Sequence, residues 1–250
     1  MATILIGSAR HDENGGITGG KAGDQKQKIS SDGLDHAGEV SVQPFYVHKK
    51  GWVIYRAKDI NLAKGIAFCM AVACNNKNIG YNQLKRLEVY LYGILADKPI
   101  NADCSELIRA IIKQCGYDLP DFTTASAGYV LLASNLFDKV AYTDTNSLCN
   151  GDILCTKTKG HIVAVISGAR SRDTKEENPF KEPTKVVKKG ANGESVKWVQ
   201  WELKQWGASL KVDGAFGDIT DRAVRAFQTA FGLDVDGEVG KVTRGKMKEV

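Results

Sequence analysis

A cysteine at the start of an amphipathic helix and a histidine at the start of an apolar strand are placed to do chemistry together. Cys104 lies in the segment Asp-Cys-Ser-Glu-Leu, and His161 lies in the segment Gly-His-Ile-Val-Ala-Val-Ile. A thiolate attacks carbonyl carbon, and an imidazole within hydrogen-bond reach moves the protons. If the two side chains meet, this pair indicates a cysteine hydrolase or transferase.

The helix that carries Cys104 is predicted to begin after Asp103, which can cap it, and to end at Gly116. Its buried stripe consists of Leu107, Ile108, Ile111, Ile112 and Cys115. Cys104 then lies in the first turn, where free backbone N–H groups are expected to lower the thiol pKa and to hold an oxyanion. A core cysteine near a helix start explains the local sequence equally well.

The strand that carries His161 is predicted from five consecutive apolar residues, which indicate burial. A histidine at the start of this strand can lie over the end of the Cys104 helix and act as a base. The alternative is an ordinary histidine at a sheet edge. The chain has four histidines, and His161 alone among them adjoins a strongly apolar element.

The composition places the chain among ordinary globular proteins. Its 250 residues are 43% hydrophobic and 25% charged, enough for one large domain or two smaller ones. The net charge of +5 selects no particular polyanion, and the basic residues do not interleave with aromatics as in a nucleic-acid groove. The longest apolar stretch, 65–74, is too short to cross a bilayer, so no membrane insertion is expected.

The first residues lack a basic region followed by a long apolar one, so no signal peptide is expected and the protein should remain in the cytoplasm until it is released. The six cysteines are therefore expected to be reduced. No pair has CxxC spacing, so neither a metal site nor a cofactor is expected.

A charged segment with two prolines, 169–190, is predicted to be an extended linker. It separates a domain at 1–168 from a tail at 191–250. Within the larger domain, helices are predicted at 57–75 and 82–95, and strands follow near Ile153 and His161. Helices before strands predict an α+β domain in which helices pack on a small antiparallel sheet.

The tail contains an internal repeat. Leu-Lys-Val-Asp-Gly-Ala-Phe-Gly-Asp-Ile-Thr at 210–220 is matched by Leu-Asp-Val-Asp-Gly-Glu-Val-Gly-Lys-Val-Thr at 233–243. Each Asp-Gly predicts a tight turn before a helix, and the whole tail predicts a small three-helix domain. The sequence of the tail resembles the type 1 peptidoglycan-binding domain over residues 190–247. The resemblance implies that exposed residues near the turns bind the wall, with Asp213, Phe216, Thr220 and Arg222 as candidates. The alternative is that these residues only build the fold.

The first domain resembles the NlpC-type cell-wall peptidases, a papain-like family related to CHAP amidases. The resemblance rests on Asp-Cys-Ser-x-Leu at 103–107, Gly-Asp-Ile-Leu at 151–154, and the His161 segment. It implies a papain-like catalytic domain with Cys104 and His161 as catalytic residues. The similar segment at 79–83 implies that Tyr81 lines the site, and Asp103 and Ser105 are further candidates for substrate or oxyanion contacts.

One feature of this family, a third polar residue in the site, has no clear counterpart in the sequence. Such enzymes usually carry a third polar residue on the strand after the histidine strand, but here Ser167 and Gly168 lead directly into the charged segment. Asp173 is one candidate. Alternatively, the N-terminal segment folds back and supplies His11, Asp12 or Glu13, although a solvated loop explains those residues more simply.

Together the two resemblances imply a modular phage endolysin, since residues 9–25 also resemble the beginning of a group of phage lysins. Such a protein would be a monomer that acts on bacterial peptidoglycan after lysis. We expect a γ-D-glutamyl–diamino acid endopeptidase. The alternatives are an N-acetylmuramoyl-L-alanine amidase on the same fold, a non-catalytic wall-binding protein, and a metal-dependent peptidase.

Overall fold

An antiparallel six-stranded sheet forms the framework of the first domain. The structure is a computed structural model that describes residues 3–10, 40–171, 176–208 and 210–248. In that part of the chain the strands are β1 (Leu5–Ala9), β2 (Val40–Pro44), β3 (Trp52–Ala57), β4 (Ile79–Tyr81), β5 (Ile100–Ala102), β6 (Phe137–Ala141), β7 (Ile153–Thr156) and β8 (Ile162–Ser167). The main sheet has the order β2-β1-β8-β7-β3-β6, and β4 and β5 form a separate parallel pair.

Helices cover one face of this sheet and make up the tail. They are α1 (Ile60–Asn75), α2 (Glu88–Tyr92), α3 (Cys104–Gln114), α4 (Ala127–Ala133), α5 (Glu194–Gln205), α6 (Asp218–Ala230) and α7 (Lys241–Lys248), with a short 3₁₀ helix at Thr145–Ser147. The mixture of helices and an antiparallel sheet confirms the predicted α+β class. No helix in the described ranges is long and apolar enough to span a membrane.

The central helix α1 is buried along most of its length, as its sequence predicts. Eleven of its sixteen residues are buried, and Asp59 Oδ1 caps it by accepting a hydrogen bond of 2.8 Å from the N–H of Asn61. The second predicted helix, 82–95, is wrong in its extent, because α2 begins only at Glu88. Asn82 Oδ1 accepts from the N–H groups of Leu84 and Lys85, which forms a turn instead of helix there.

The two faces of the sheet bury different apolar clusters. On β8, Ile162, Ala164 and Ile166 face the cluster that contains α1 and α3. Val163 and Val165 face a smaller cluster on the opposite side. This alternation, with a period of two, anchors β8 between two packed layers and sets the position of the residues at its start.

The tail builds both of its repeated turns around a buried glutamine. Gln200 donates from Nε2 to Asp213 Oδ1 (2.8 Å), and its Oε1 accepts from the N–H of Gly214 (2.8 Å). The second copy makes the same bonds with Gln228, Asp236 and Gly237, at 2.7 Å and 2.9 Å. The repeat in the sequence is therefore a repeat of structure, in which a buried amide satisfies the polar groups of each turn.

The described part of the charged segment contacts the tail. Val187 pairs with Val239, and the amide of Asn178 donates to Glu202 Oε1 at 2.9 Å. The Phe180 ring packs edge-on against Trp201 at 6.3 Å. Residues 176–190 are therefore attached to the tail rather than extended in solvent. The domain boundaries at 168 and 190 remain predictions.

The tail also packs directly on the first domain through α6 and α1. Ala226 and Ala230 of α6 are buried in the cluster that contains α1. Ser167 Oγ donates to the carbonyl of Ala230 at 2.9 Å. Gly207 has φ +99°, and a Cβ there would lie 2.3 Å from the carbonyl oxygen of Lys64. The contact between the two parts therefore depends on close backbone approach.

Candidate functional site

Cys104 is the first residue of α3, and Asp103 caps this helix as predicted. Asp103 Oδ1 accepts from the N–H of Glu106 at 2.7 Å and from Ser105 Oγ at 2.8 Å. The helix follows at once after β5, which pairs in parallel with β4. The strand pair and the cap together hold the Cys104 thiol at the N-terminal end of α3.

The start of β8 lies beside the Cys104 thiol, beyond the end of its ladder with β1. The ladder between them runs from Leu5 to Gly7, whereas β1 pairs with β2 as far as Ala9. The backbone N–H of Ile162 is directed at Cys104 Sγ and favours its thiolate. The thiol therefore lies against the residue that follows His161 in the chain.

His161 is half-buried and is held by its backbone to β7. Its N–H donates to Thr156 Oγ1 at 3.0 Å, and its carbonyl accepts from the N–H of Thr156 at 3.0 Å. These bonds hold the backbone that carries the imidazole beside the open end of the β1–β8 ladder. The two residues singled out in the sequence thus belong to one region of the fold, although 57 positions apart in the chain.

Burial dominates the acidity of Cys104. Together with the Asp103 charge, it raises the pKa of the thiol to about 12. The N–H groups of Ile162 and Ser105 lower it, but they do not outweigh burial. The expectation of a lowered pKa is therefore wrong. Cys104 is only 8% exposed, so loss of hydration exceeds the gain from the helix terminus.

Two tyrosines lie near the thiol. Tyr81 is buried, and its hydroxyl accepts from Gln83 Nε2 at 2.8 Å. Burial raises the pKa of Tyr81, and the charges of Cys104 and Asp103 raise it further, so the phenol remains protonated. Tyr46 was not predicted: burial raises its pKa, and nearby Cys104 adds to that shift. A tyrosine between two strands gives no pattern that could have identified it.

A partly buried charge network lies behind the capped helix start, and no local sequence pattern predicts it. Arg86 Nε donates to Asp103 Oδ2 at 2.8 Å, and Arg86 also pairs with Glu106 and with Asp121. Burial raises the pKa of Glu106 to about 7, opposed by the charges of Arg109 and Arg86. Arg86 thus ties the capping carboxylate to the surrounding loops.

The oxygens of Asp103 and the hydroxyl of Ser105 are engaged within this arrangement. Asp103 uses Oδ1 for the cap and Oδ2 for Arg86, and Ser105 Oγ donates to Asp103. Both residues are buried. Their contact with substrate remains a prediction, and the role that the geometry supports directly is to shape the helix start.

The candidates for the third polar residue, His11, Asp12, Glu13 and Asp173, lie outside the described residues. The last described residue before the first three is Arg10, whose guanidinium donates to Ser41 Oγ at 2.8 Å and to the side chain of Gln43. Because β1 is antiparallel to β8, Arg10 follows the end of β1 that corresponds to the His161 end of β8.

The four proposed wall-binding residues differ in exposure. Phe216 and Thr220 are each only 3% exposed, so the expectation that their side chains are exposed is wrong. Phe216 belongs to the apolar core of the tail, and Thr220 faces the amide of Gln200 at 3.2 Å. Asp213 and Arg222 are exposed. Wall binding by any of the four remains a prediction.

Metal-ligating residues do not cluster in the described ranges: no group of three or more His, Cys, Asp or Glu side chains there could hold an ion. The residues near Cys104 offer thiol, phenol and backbone N–H groups. This set suits acyl transfer through sulfur.

Comparison with known proteins identifies both parts of the chain. Residues 6–171 match the sequence family described as "Endolysin-like domain", and residues 192–247 match a family described as "peptidoglycan binding domain". A zinc D-Ala-D-Ala carboxypeptidase of Streptomyces albus G is 37% identical over 68 residues, 26% of this chain and 27% of that protein. A spore cortex-lytic enzyme of Bacillus cereus is 48% identical over 60 residues, 24% and 23% of the two chains.

Two solved structures show partial similarity. The SleB N-terminal domain is 43% identical, and the match covers 27% of this chain and 92% of that one, with a TM-score of 0.26. A peptidoglycan-binding protein from Clostridioides difficile, in complex with glutamine hydroxamate, is 27% identical over 46% and 61% of the two chains, with a TM-score of 0.25. The chain spans about a quarter of the length of the curated relatives it matches. Since the first family covers more than half of the chain, including Cys104 and His161, this protein belongs to the endolysin-like domain family and carries a peptidoglycan-binding domain in its tail.

Proposed function

We propose that this protein is a peptidoglycan hydrolase in which Cys104 is the nucleophile and His161 is the base. The observation that carries the proposal is the position of the Cys104 thiol at the start of α3, against the N–H of Ile162. Family membership and the tail domain supply the class of substrate. A papain-like arrangement of the first domain is part of this proposal.

The raised pKa of Cys104 assigns a specific task to His161. At neutral pH a thiol with a pKa of about 12 is protonated, so a base must remove its proton as sulfur attacks. Imidazole is the side chain that titrates near neutral pH, so it can accept this proton and release it again. We therefore propose that the thiolate forms together with substrate binding rather than in the free protein.

The reaction then proceeds through an acyl-enzyme. The sulfur of Cys104 bonds to the amide carbon while His161 takes the thiol proton. Collapse of the tetrahedral intermediate breaks the C–N bond, and His161 gives the proton to the departing amine. Water attacks the thioester with His161 as base, which restores the thiol. The N–H groups at the start of α3 and the protonated Tyr81 are the donors for the oxyanion.

Within peptidoglycan, the bond we favour is the γ-D-glutamyl–diamino acid amide. The alternative is the N-acetylmuramoyl-L-alanine amide, which the related amidases cleave on a similar fold. Mass spectrometry of digested wall distinguishes the two products. A new free amino group on the diamino acid supports the first, and a new N-terminal L-alanine supports the second.

Turbidity of a cell-wall suspension tests the mechanism. Cys104→Ala should abolish clearing, because it removes the sulfur that lies against the N–H of Ile162. Cys74→Ala, which removes a buried thiol of α1, is the matched control and should clear walls at the wild-type rate. Equal clearing by Cys104→Ala and wild type would overturn the cysteine mechanism.

Two alternatives make different predictions in the same assay. A non-catalytic wall-binding protein would sediment with walls, and even the wild type would not clear them. A metal-dependent peptidase would lose activity with a chelator and tolerate thiol reagents. The phage source, the stay in the cytoplasm before lysis and the monomeric state remain predictions.

A further inference from the structure

Two thiols meet between α1 and the C-terminal end of α3, outside the proposed active site. Cys69 of α1 shares a side-chain hydrogen bond with Cys115, the C-cap of α3. Gly65 lies one turn before Cys69, and a Cβ at this glycine would be 2.8 Å from Cys115 Sγ. The missing side chain at Gly65 leaves the space that the Cys115 thiol occupies.

One member of the pair differs from the other cysteines in its access to solvent. All six cysteines lie in described residues and are reduced, and five of them are buried. Cys115 alone is partly exposed, so it is the member of the pair that we expect a soluble reagent to meet first. Cys104 and Cys115 lie at opposite ends of α3, about 16 Å apart along the helix axis. A reaction at Cys115 is therefore separate from one at Cys104.

We propose that Cys69 and Cys115 form a reversible disulfide when the protein meets a low-molecular-weight disulfide, such as oxidised glutathione. The Cys115 thiolate attacks one sulfur of the reagent, forms a mixed disulfide and releases one thiolate. The Cys69 thiol then loses its proton and attacks the sulfur of Cys115. A second reagent thiolate departs. Two protein thiols are oxidised, and one reagent disulfide is reduced to two thiols.

The bond would join the central helix to the helix that begins with Cys104. Because α1 also carries the contact with α6, the crosslink would restrain the core of the first domain next to the tail. Such a link restricts the unfolded chain, so the oxidised protein should melt at a temperature higher by about 5 °C. Formation of this disulfide does not depend on the proposed cysteine mechanism.

Peptide mapping under non-reducing conditions tests the proposal on the full chain. The protein is incubated with oxidised glutathione, blocked and digested with trypsin. Cys69 lies in the peptide 65–77, which also contains Cys74, and Cys115 is the one cysteine in the peptide 114–139. We expect these two peptides to be linked, with the loss of two hydrogen atoms, and to separate on reduction.

Variants identify which sulfur carries the link. The linked peptides should persist in Cys74→Ala and in Cys104→Ala, and should disappear in Cys69→Ala. The rise in melting temperature should disappear with them and with a reducing agent. A link that persists in Cys69→Ala would overturn the proposal. So would a wild-type protein in which Cys115 carries only glutathione.

Discussion

The acidity of Cys104 depends on two opposed effects that act on one sulfur atom. The helix start and the N–H of Ile162 favour the thiolate, whereas burial favours the thiol and raises its pKa to about 12. Position on a helix can be read from the sequence, but the degree of burial cannot. In the proposed mechanism a base must therefore take the thiol proton as the sulfur attacks.

The reactivity of Cys104 toward iodoacetamide should follow from this pKa. Alkylation requires the thiolate, so the rate should be low at pH 7 and rise about tenfold for each pH unit up to pH 10. Mass spectrometry of the peptide that contains Cys104 measures the rate directly. A rate that levels off below pH 8 would contradict the raised pKa. In that case the free protein would already hold a thiolate.

At the scale of elements, the start of α3 depends on a single carboxylate with two roles. Asp103 caps the helix through Oδ1 and holds Arg86 through Oδ2. Because Arg86 also reaches Asp121 and the carbonyl of Phe122, the cap is tied to the loop before α4. The helix that carries the thiol is thus positioned by both a local and a long-range bond.

Asp103→Ala should lower the free energy of unfolding by about 2 kcal/mol, because it removes the cap and leaves the partly buried Arg86 with fewer partners. Asp103→Asn should lower the free energy of unfolding by less, since an amide oxygen can still accept from the N–H of Glu106. Denaturant unfolding measures both. Asp144→Ala removes a cap from the exposed 3₁₀ turn and should cost less than about 1 kcal/mol. Equal losses in the three variants would show that Asp103 has no special role.

Gly207, which follows α5, brings the tail backbone against Lys64 of α1, and a second glycine provides a control. Gly207→Ala should destabilise the protein by about 3 kcal/mol, because it adds a clash with the Lys64 carbonyl to the strain of positive φ. Gly190 has φ +93°, but no atom lies within 4 Å of the place that an added Cβ would take, so Gly190→Ala should cost about 1 kcal/mol. Denaturant unfolding compares the two. Similar losses of unfolding free energy in the two variants would indicate that a clash with the Lys64 carbonyl does not destabilise the protein.

In the molecule as a whole, the first domain and the tail bury apolar side chains against each other. Ala226, Ala230 and Phe231 of the tail contact the core of the first domain, and Phe68 of α1 contacts both cores. The peptidoglycan-binding domain is thus held against the endolysin-like domain by packing as well as by the chain that joins them. For a wall enzyme, such docking would hold the proposed site in one orientation to the bound polymer.

Calorimetry should therefore record one cooperative transition for the full chain, since the tail cannot unfold without uncovering α1. Gly207→Ala, which disturbs the contact, should broaden or divide this transition, whereas Gly190→Ala should preserve it at a slightly lower temperature. Two well-separated transitions in the wild type would contradict a shared core.

Local patterns in the sequence were sufficient for several elements. The buried helix α1, the Asp103 cap, the helix that begins at Cys104 and the repeated Asp-Gly turns all follow from periodicity, capping or turn residues. The second helix was predicted too long, because the hydrogen bonds of the Asn82 side chain compete with helix. The buried glutamines at 200 and 228 were missed, because an amide within a helix carries no local sign of its partner.

The starts of α3 and β8 and the repeat in the tail can thus be predicted from the amino-acid order, since these properties depend on neighbours along the chain. Four further features cannot be predicted in this way: β1 lies between β2 and β8, Cys104 is buried against Ile162, Arg86 holds Asp103, and α6 packs on α1. Each of these depends on contacts between distant segments, whose energies come from burial and charge pairing in three dimensions.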